Sequence, residues 1–234
     1  MTKQILLIAC AALASMLLIM GIRVGLLVNS ISSYKKYWQK EATKAPEANA
    51  LTYIALGDSA AQGVGATSAR RGYVGLTAQH IARVKGKPVH IINLSVSGAK
   101  IEDALKTQLP QLLKYQDADY VTIEIGANDI ATYDKDKFRK EFSELLNKLP
   151  KGTFVANMPS FHGGRAGKYD DNASNASKLI AELMIAYPDL QLVDVNEVTS
   201  TQNILDFGAD LFHPSNSGYK NWARAFNKAI DKTL

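Results

Sequence analysis

Ser59, His213 and Asp210 are the residues of this chain best suited to act together on a substrate. A serine hydroxyl attacks a carbonyl only when a base removes its proton and dipoles receive the charge that develops on the carbonyl oxygen. Ser59 ends Gly57-Asp58-Ser59, directly after the apolar run Tyr53 to Leu56, where a glycine permits a tight turn that presents the hydroxyl. His213 lies in Asp210-Leu211-Phe212-His213-Pro214, three residues after a carboxylate. On a turn of helical character that spacing puts both side chains on one side. Asp210 can then orient the ring and stabilise imidazolium while the other nitrogen faces Ser59. The backbone N–H groups of Ser59 and Gly98 and the side-chain amide of Asn128 are the candidate oxyanion donors.

These residues need a scaffold that brings distant segments together. From Leu51 onward, short apolar runs rich in β-branched residues alternate with segments of helical period. The runs are Tyr53 to Leu56, Val89 to Leu94, Tyr120 to Ile125, Phe154 to Met158 and Leu190 to Val195. The helical segments are Tyr73 to Val84, Ile101 to Tyr115, Lys135 to Leu149 and Ala173 to Tyr187, and a closing helix is expected with Pro214 in its first turn and its end at Ala229. The alternation requires crossovers, so it predicts a mainly parallel five-stranded sheet covered by helices on both faces, a three-layer α/β sandwich. Ligands of such sheets bind outside the carboxyl ends of the strands. Gly57-Asp58-Ser59, Asn93 to Gly98, Gly126-Ala127-Asn128-Asp129 and Asn157-Met158-Pro159 all fall there.

Four blocks, Gly57-Asp58-Ser59 with Gly63 downstream, Gly98, Gly126-Ala127-Asn128-Asp129, and Asp210-Leu211-Phe212-His213, resemble in order the blocks of the SGNH hydrolase superfamily, the GDSL-like lipases and acylhydrolases. The resemblance covers Leu51 to the C-terminus. It implies a flavodoxin-like α/β/α sandwich, hydrolysis of esters or thioesters, and neither metal nor other cofactor. Ser59, Gly98, Asn128 and His213 match the four residues that give the superfamily its name, and Asp210 matches its acidic member. The sequence departs from the narrower group at Ala60, where leucine is usual. That position packs rather than reacts.

The chain of 234 residues fits one domain with a terminal extension. Its net charge of +5 draws on a local cluster, Lys35, Lys36, Lys40 and Lys44, rather than a basic face, so no nucleic acid partner is expected. Cys10, in the apolar N-terminus, is the single cysteine, which excludes a disulfide and a cysteine nucleophile in the domain. Ile5 to Ile22 contains no charged side chain and is flanked by Lys3 and Arg23. At ~1.5 Å per residue it approaches the ~30 Å of bilayer hydrocarbon, and Gly25 to Val28 extend it if Arg23 snorkels. Residues 1–29 therefore read as an N-terminal membrane anchor, 30–50 as a polar juxtamembrane stalk and 51–234 as the hydrolase domain. Ala12-Leu13-Ala14 offers a small-residue cleavage site, but the apolar run continues past it, so an uncleaved anchor fits better. Leu7-Ile8-Ala9-Cys10 resembles a lipobox with too short an apolar stretch before the cysteine. The balance of positive charge slightly favours a cytoplasmic domain. Anchored hydrolases of this type nonetheless commonly face outward, and an extracytoplasmic domain is the expectation.

Other polar residues have blander readings. Asp58 reads either as a support of the site or as a turn-former, with the turn favoured and its carboxylate bonding nearby amides, and Asp129 as structural. His80 and His90 fall in a helical and a strand segment away from the loop ends, and His162 in a glycine-rich loop is read as exposed. Asn172-Ala173-Ser174 and Asn175-Ala176-Ser177 match a short sequon that arises often by chance. The sequence thus predicts a membrane-tethered serine esterase, acting on lipid acyl esters or on O-acetyl groups of glycans. The alternative of another class is a non-catalytic binding module of the same fold.

Overall fold

The computed structural model describes residues 2–234; Met1, the first residue of the expected anchor, lies outside them. Five strands, β1 (Leu51–Gly57), β2 (Val89–Asn93), β3 (Tyr120–Glu124), β4 (Phe154–Ala156) and β5 (Gln191–Val193), form one sheet in the order β2-β1-β3-β4-β5. Every pairing is parallel. This is the flavodoxin-like order, and its direction of growth reverses between β1 and β3. β1 is buried along Tyr53 to Gly57, as a central parallel strand covered on both faces should be.

The helices are α1 (Thr2–Ala42), α2 (Ser59–Gln62), α3 (Tyr73–Lys85), α4 (Ile101–Asp103), α5 (Leu109–Leu112), α6 (Lys135–Lys148), α7 (Asp170–Met184), α8 (Val195–Thr199) and α9 (Asn216–Asp231). One core, with Leu56, Ile101, Ile123, Phe138, Phe142 and Ile180, lies between the sheet and α4 to α7. The other, with Tyr53, Tyr73, Ile81, Tyr219 and Phe226, lies between the sheet and α3, α9 and the end of α1. Three layers result. Side chains fix several helix starts: Asp134 accepts from the N–H of Asp136 and Lys137, and Asp194 from that of Glu197.

Three details differ from the sequence reading. Ile101 to Tyr115 is not a uniform helix, because a π-helical turn, Ala104–Gln108, joins α4 to α5. Pro110 lacks the N–H that would bond the carbonyl of Lys106, and its ring crowds that turn, so the helix widens there. Pro214 is not in the first turn of the last helix. It pairs as an isolated bridge with Phe207, and Ser215 caps α9 by accepting from the N–H of Ser217 and Gly218.

The third difference concerns residues 30–50. The helix that begins in the apolar run continues unbroken to Ala42, so only 43–50 form an irregular connection to β1. Residues 30–42 pack on the domain, because their polar groups are spaced to leave one face for it. Tyr34 Oη donates to Ala66 O (2.8 Å), Trp38 Nε1 donates to Gln62 O (3.0 Å), and Glu41 pairs with Arg70. Trp38 is buried. Ile5 to Ile22, by contrast, is exposed on every side, as an apolar helix long enough to cross a membrane.

Candidate active site

Ser59 is the first residue of α2, placed at the mouth of the sheet by the turn that ends β1. Gly57 has φ +146, and a Cβ there would stand 2.3 Å from Glu124 O, so only glycine lets β1 lie against β3 at this point. Asp58 caps α2 by accepting from Ala60 N–H (2.9 Å), and Gly63, at φ +84, ends it in the left-handed region.

His213 Nε2 lies 2.9 Å from Ser59 Oγ, and His213 Nδ1 lies 2.7 Å from Asp210 Oδ2. With Nδ1–H donating to the carboxylate, Nε2 is free to accept from the serine hydroxyl. The other oxygen of Asp210 accepts from the N–H of Phe212 and His213 (3.1 Å each), so the carboxylate shapes the turn as well as the ring. Leu211, between them, takes a left-handed φ of +55, a conformation costly for a branched side chain and held here by the surrounding turn. Burial disfavours ionisation of Asp210, but hydrogen bonding and charge from His213, with the two backbone donors, outweigh it and hold the carboxyl below its usual value.

Of the expected oxyanion donors, the N–H groups of Ser59 and Gly98 bond no protein acceptor among the described residues. Asn128 is engaged differently from the expectation: Nδ2 donates one proton to Asp58 Oδ2 and the other to Ala99 O, both at 2.9 Å. Its amide joins the loops after β1, β2 and β3. Asp58 thus both forms the turn, through Ala60 N–H, and supports the site, through the amide of Asn128. Burial pushes the Asp58 carboxyl up to about 6 against the pull of Ala60 N–H and the His213 charge. Asp129 accepts from Ile101 N–H (3.2 Å) at the start of α4, and burial raises it also to about 6.

Sequence reasoning missed two glutamines. Gln108, fully buried, accepts from Gly57 N–H and donates to Gly57 O, both at 2.8 Å, completing the backbone of β1 beside the serine. Gln62 donates to Ser95 O and accepts from Ser97 Oγ, holding the loop that carries Gly98. His80 pairs with Asp231 and Arg83, His90 borders the opposite end of the sheet, and His162 is exposed, so none of them joins Ser59. Among the described residues no group of three or more His, Cys, Asp or Glu is arranged to hold a metal.

The cleft over Ser59 is lined by Ala127, Pro159, Phe161, Phe207, Phe212 and His213 and encloses about 30 Å³. Phe161 and Phe212 stack with centroids 5.8 Å apart and form its wall. Beyond them opens a groove of about 360 Å³ that includes Arg165, Lys168 and Tyr169.

Residues 55–220 match the model of the GDSL-like Lipase/Acylhydrolase family. No curated protein sequence matches the chain. Among solved structures, a lipase/acylhydrolase from Enterococcus faecalis is 21% identical with a TM-score of 0.65, over 79% of this chain and 97% of that one. An acetyl xylan esterase variant from Geobacillus stearothermophilus is 21% identical with a TM-score of 0.62, over 77% and 94%. A lipase from a goat rumen metagenome is 23% identical with a TM-score of 0.64, over 76% and 97%. At these identities the likeness is one of fold.

Proposed function

The chain belongs to the GDSL-like lipase/acylhydrolase family and is a serine ester hydrolase, and from that premise we propose that it is a membrane-tethered esterase that works through an acyl-enzyme on Ser59. The observation that carries the reading is the hydrogen-bonded line from Ser59 Oγ through His213 to Asp210, at 2.9 and 2.7 Å. His213 Nε2 takes the Ser59 proton as Oγ attacks the ester carbonyl. The oxyanion is received by the N–H groups of Ser59 and Gly98, whose protons are uncommitted. Asn128, with both amide protons engaged, is assigned to the same hole as the group that fixes its three loops and that can turn one proton toward the oxyanion as charge develops.

Collapse of the tetrahedral intermediate breaks the ester C–O bond, and His213 returns the proton to the leaving alcohol. Water then attacks the acyl-enzyme with His213 again as base, releasing the acid and restoring Ser59 Oγ–H. The narrow cleft between Phe161, Phe207 and Phe212 beside Ser59 accommodates a short acyl group such as acetyl, and the groove of about 360 Å³ that shares Phe161 and Phe212 offers a longer chain a way out. An acetyl xylan esterase and lipases among the structural neighbours represent the two chemistries. The helix Thr2–Ala42 is the proposed tether, and the domain is placed on the extracytoplasmic side because anchored hydrolases of this type commonly face outward.

The test is hydrolysis of p-nitrophenyl acetate and p-nitrophenyl palmitate by the full chain in detergent, beside Ser59→Ala. Acetate hydrolysis that the variant loses by ~10⁴-fold or more supports the reading. A folded wild type that turns over neither ester and does not react with a fluorophosphonate probe leaves a binding module instead. Protease added to intact cells should remove the domain while sparing the tether; a protected domain reverses the orientation.

A further inference from the structure

We propose that the mouth of the Ser59 cleft faces the bilayer that holds α1, with the exposed apolar side chains of Ile204, Leu205 and Leu211 in the headgroup layer, so that the enzyme takes esters presented at that membrane surface. The proposal rests on the esterase reading above and adds the direction in which the site looks.

The direction follows from the course of α1. Near its C-terminal end, Glu41 and Lys44 border Pro88 to Ile91, at the amino end of β2. Two turns earlier Tyr34 bonds Ala66 O, in the loop that follows α2. Two turns earlier again, Leu27 is buried against the loop that carries Asp210 and His213: a Cβ on Gly208 would stand 3.3 Å from Leu27 Cδ1, from His213 O and from the Cα of Gly65. Followed toward its N-terminus, the helix thus climbs the side of the domain from the amino to the carboxyl end of the strands. It leaves beside the catalytic loops, and the apolar span lies beyond them.

The height follows from helix geometry. The charge-free run ends at Ile22, five residues before Leu27, which is roughly 7 to 8 Å along the axis at ~1.5 Å per residue. The headgroup layer of each leaflet is roughly 5 to 7 Å deep, taken as half the difference between total and hydrocarbon thickness. The His213 loop therefore stands at the outer boundary of that layer. Side chains that would be a liability in water face this region. Leu205 is 77% exposed and Ile204 59%, on a helical turn joined to α9 by Ser215 Oγ donating to Leu205 O (2.7 Å). Leu211 is partly exposed on the catalytic loop itself. An apolar tip beside a membrane span has one partner within reach at all times, the lipid surface.

The test uses the full chain with Cys10→Ser, reconstituted in vesicles of phosphatidylethanolamine and phosphatidylglycerol. An environment-sensitive nitrobenzoxadiazole dye is attached at Leu205→Cys, or at Ile185→Cys on the opposite end of the domain. Dye at position 205 should shift to the blue and be quenched by lipids spin-labelled in the headgroup region, and dye at 185 should not. Equal responses at the two positions overturn the proposal, whatever the activity.

A second variant inserts eleven helix-forming residues between Arg23 and Val24, which raises the domain by about 16 Å. It should release acetate from vesicle-held 1-alkyl-2-acetyl-glycerophosphocholine at least tenfold more slowly than wild type, with p-nitrophenyl acetate hydrolysis unchanged. Equal rates on the vesicle ester, or no wild-type activity on it, overturn the proposal, whereas loss of p-nitrophenyl acetate hydrolysis in the wild type would instead overturn the esterase reading.

Discussion

Asp58 Oδ2 accepts a hydrogen bond from Asn128 Nδ2 at 2.9 Å, across the point where the sheet reverses its order between β1 and β3. The second amide proton of Asn128 goes to Ala99 O, next to Gly98. Asp58→Ala and Asn128→Ala should each lower kcat on p-nitrophenyl acetate by about tenfold to several hundredfold, in the range for a disturbed oxyanion site. The double variant should lose little more than the worse single one, a coupling of about 1–3 kcal/mol. Fully additive losses would show that the two side chains act independently.

Gly65 has φ +96, and a Cβ at that position would stand 2.8 Å from His213 Cβ and 2.4 Å from Pro214 O. Gly65→Ala must push the His213 turn away or rearrange its own loop. The expected result is a fall in kcat/KM of about a hundredfold, as displacement of a positioned group by ~1 Å costs, with far-ultraviolet circular dichroism unchanged. Wild-type kinetics in this variant would show that the loop yields without moving the imidazole.

Gln108 satisfies both backbone groups of Gly57 from a fully buried position. Gln108→Leu keeps similar bulk and leaves the buried N–H of Gly57 without a partner, at about 1–3 kcal/mol, while Gly57 O keeps the N–H of Val96 at 3.1 Å. Urea denaturation should show a loss of roughly 1–3 kcal/mol, with reduced activity in the fraction that remains folded. An unchanged midpoint would mean that other groups reach Gly57 once the amide is gone.

Glu124 is fully buried, and neither carboxyl oxygen finds a partner among the described residues. Burial, and then the nearby Asp58 charge, raise it well above the usual carboxylate range. The folded chain therefore holds this proton more tightly than the unfolded chain. Its stabilising contribution is full below the unfolded value of 4.5 and is lost as pH rises toward the folded value. Glu124→Gln, neutral at every pH, should gain stability over the wild type as pH increases from 5 to 8 in urea denaturation. A difference independent of pH would contradict a raised carboxyl at this site.

The sequence already contained the sheet, because alternating apolar runs and helical segments leave a parallel α/β topology as the economical solution. It also contained Ser59, Asp210 and His213, whose places in two turns let them be read as a set and which the structure brings within 2.9 and 2.7 Å of one another. The partner of Asn128 could not be read, because an amide and a carboxylate seventy positions apart leave no local trace. Gln108 left a faint one: it takes the inward place between Ala104 and Leu112, where a helix facing a core should be apolar. Pro110 signalled the widened turn beside it. Residues 30–50 read as a stalk because they are polar and rich in lysine, alanine and glutamate, while the face formed by Tyr34, Trp38 and Glu41 becomes visible only once the helix is drawn.

The docking of residues 30–42 bears on what cleavage of the proposed tether would do to the domain. A protease cutting in 43–50 would liberate a domain stripped of the Trp38 indole that covers Gln62 and of the carboxylate that neutralises Arg70. A cut above Asn29 would carry off Leu27 and uncover Gly208 beside the His213 turn. Shedding, a common fate of proteins on flexible tethers, would here strip the domain of contacts its fold uses, so a released domain should be less stable than the full chain.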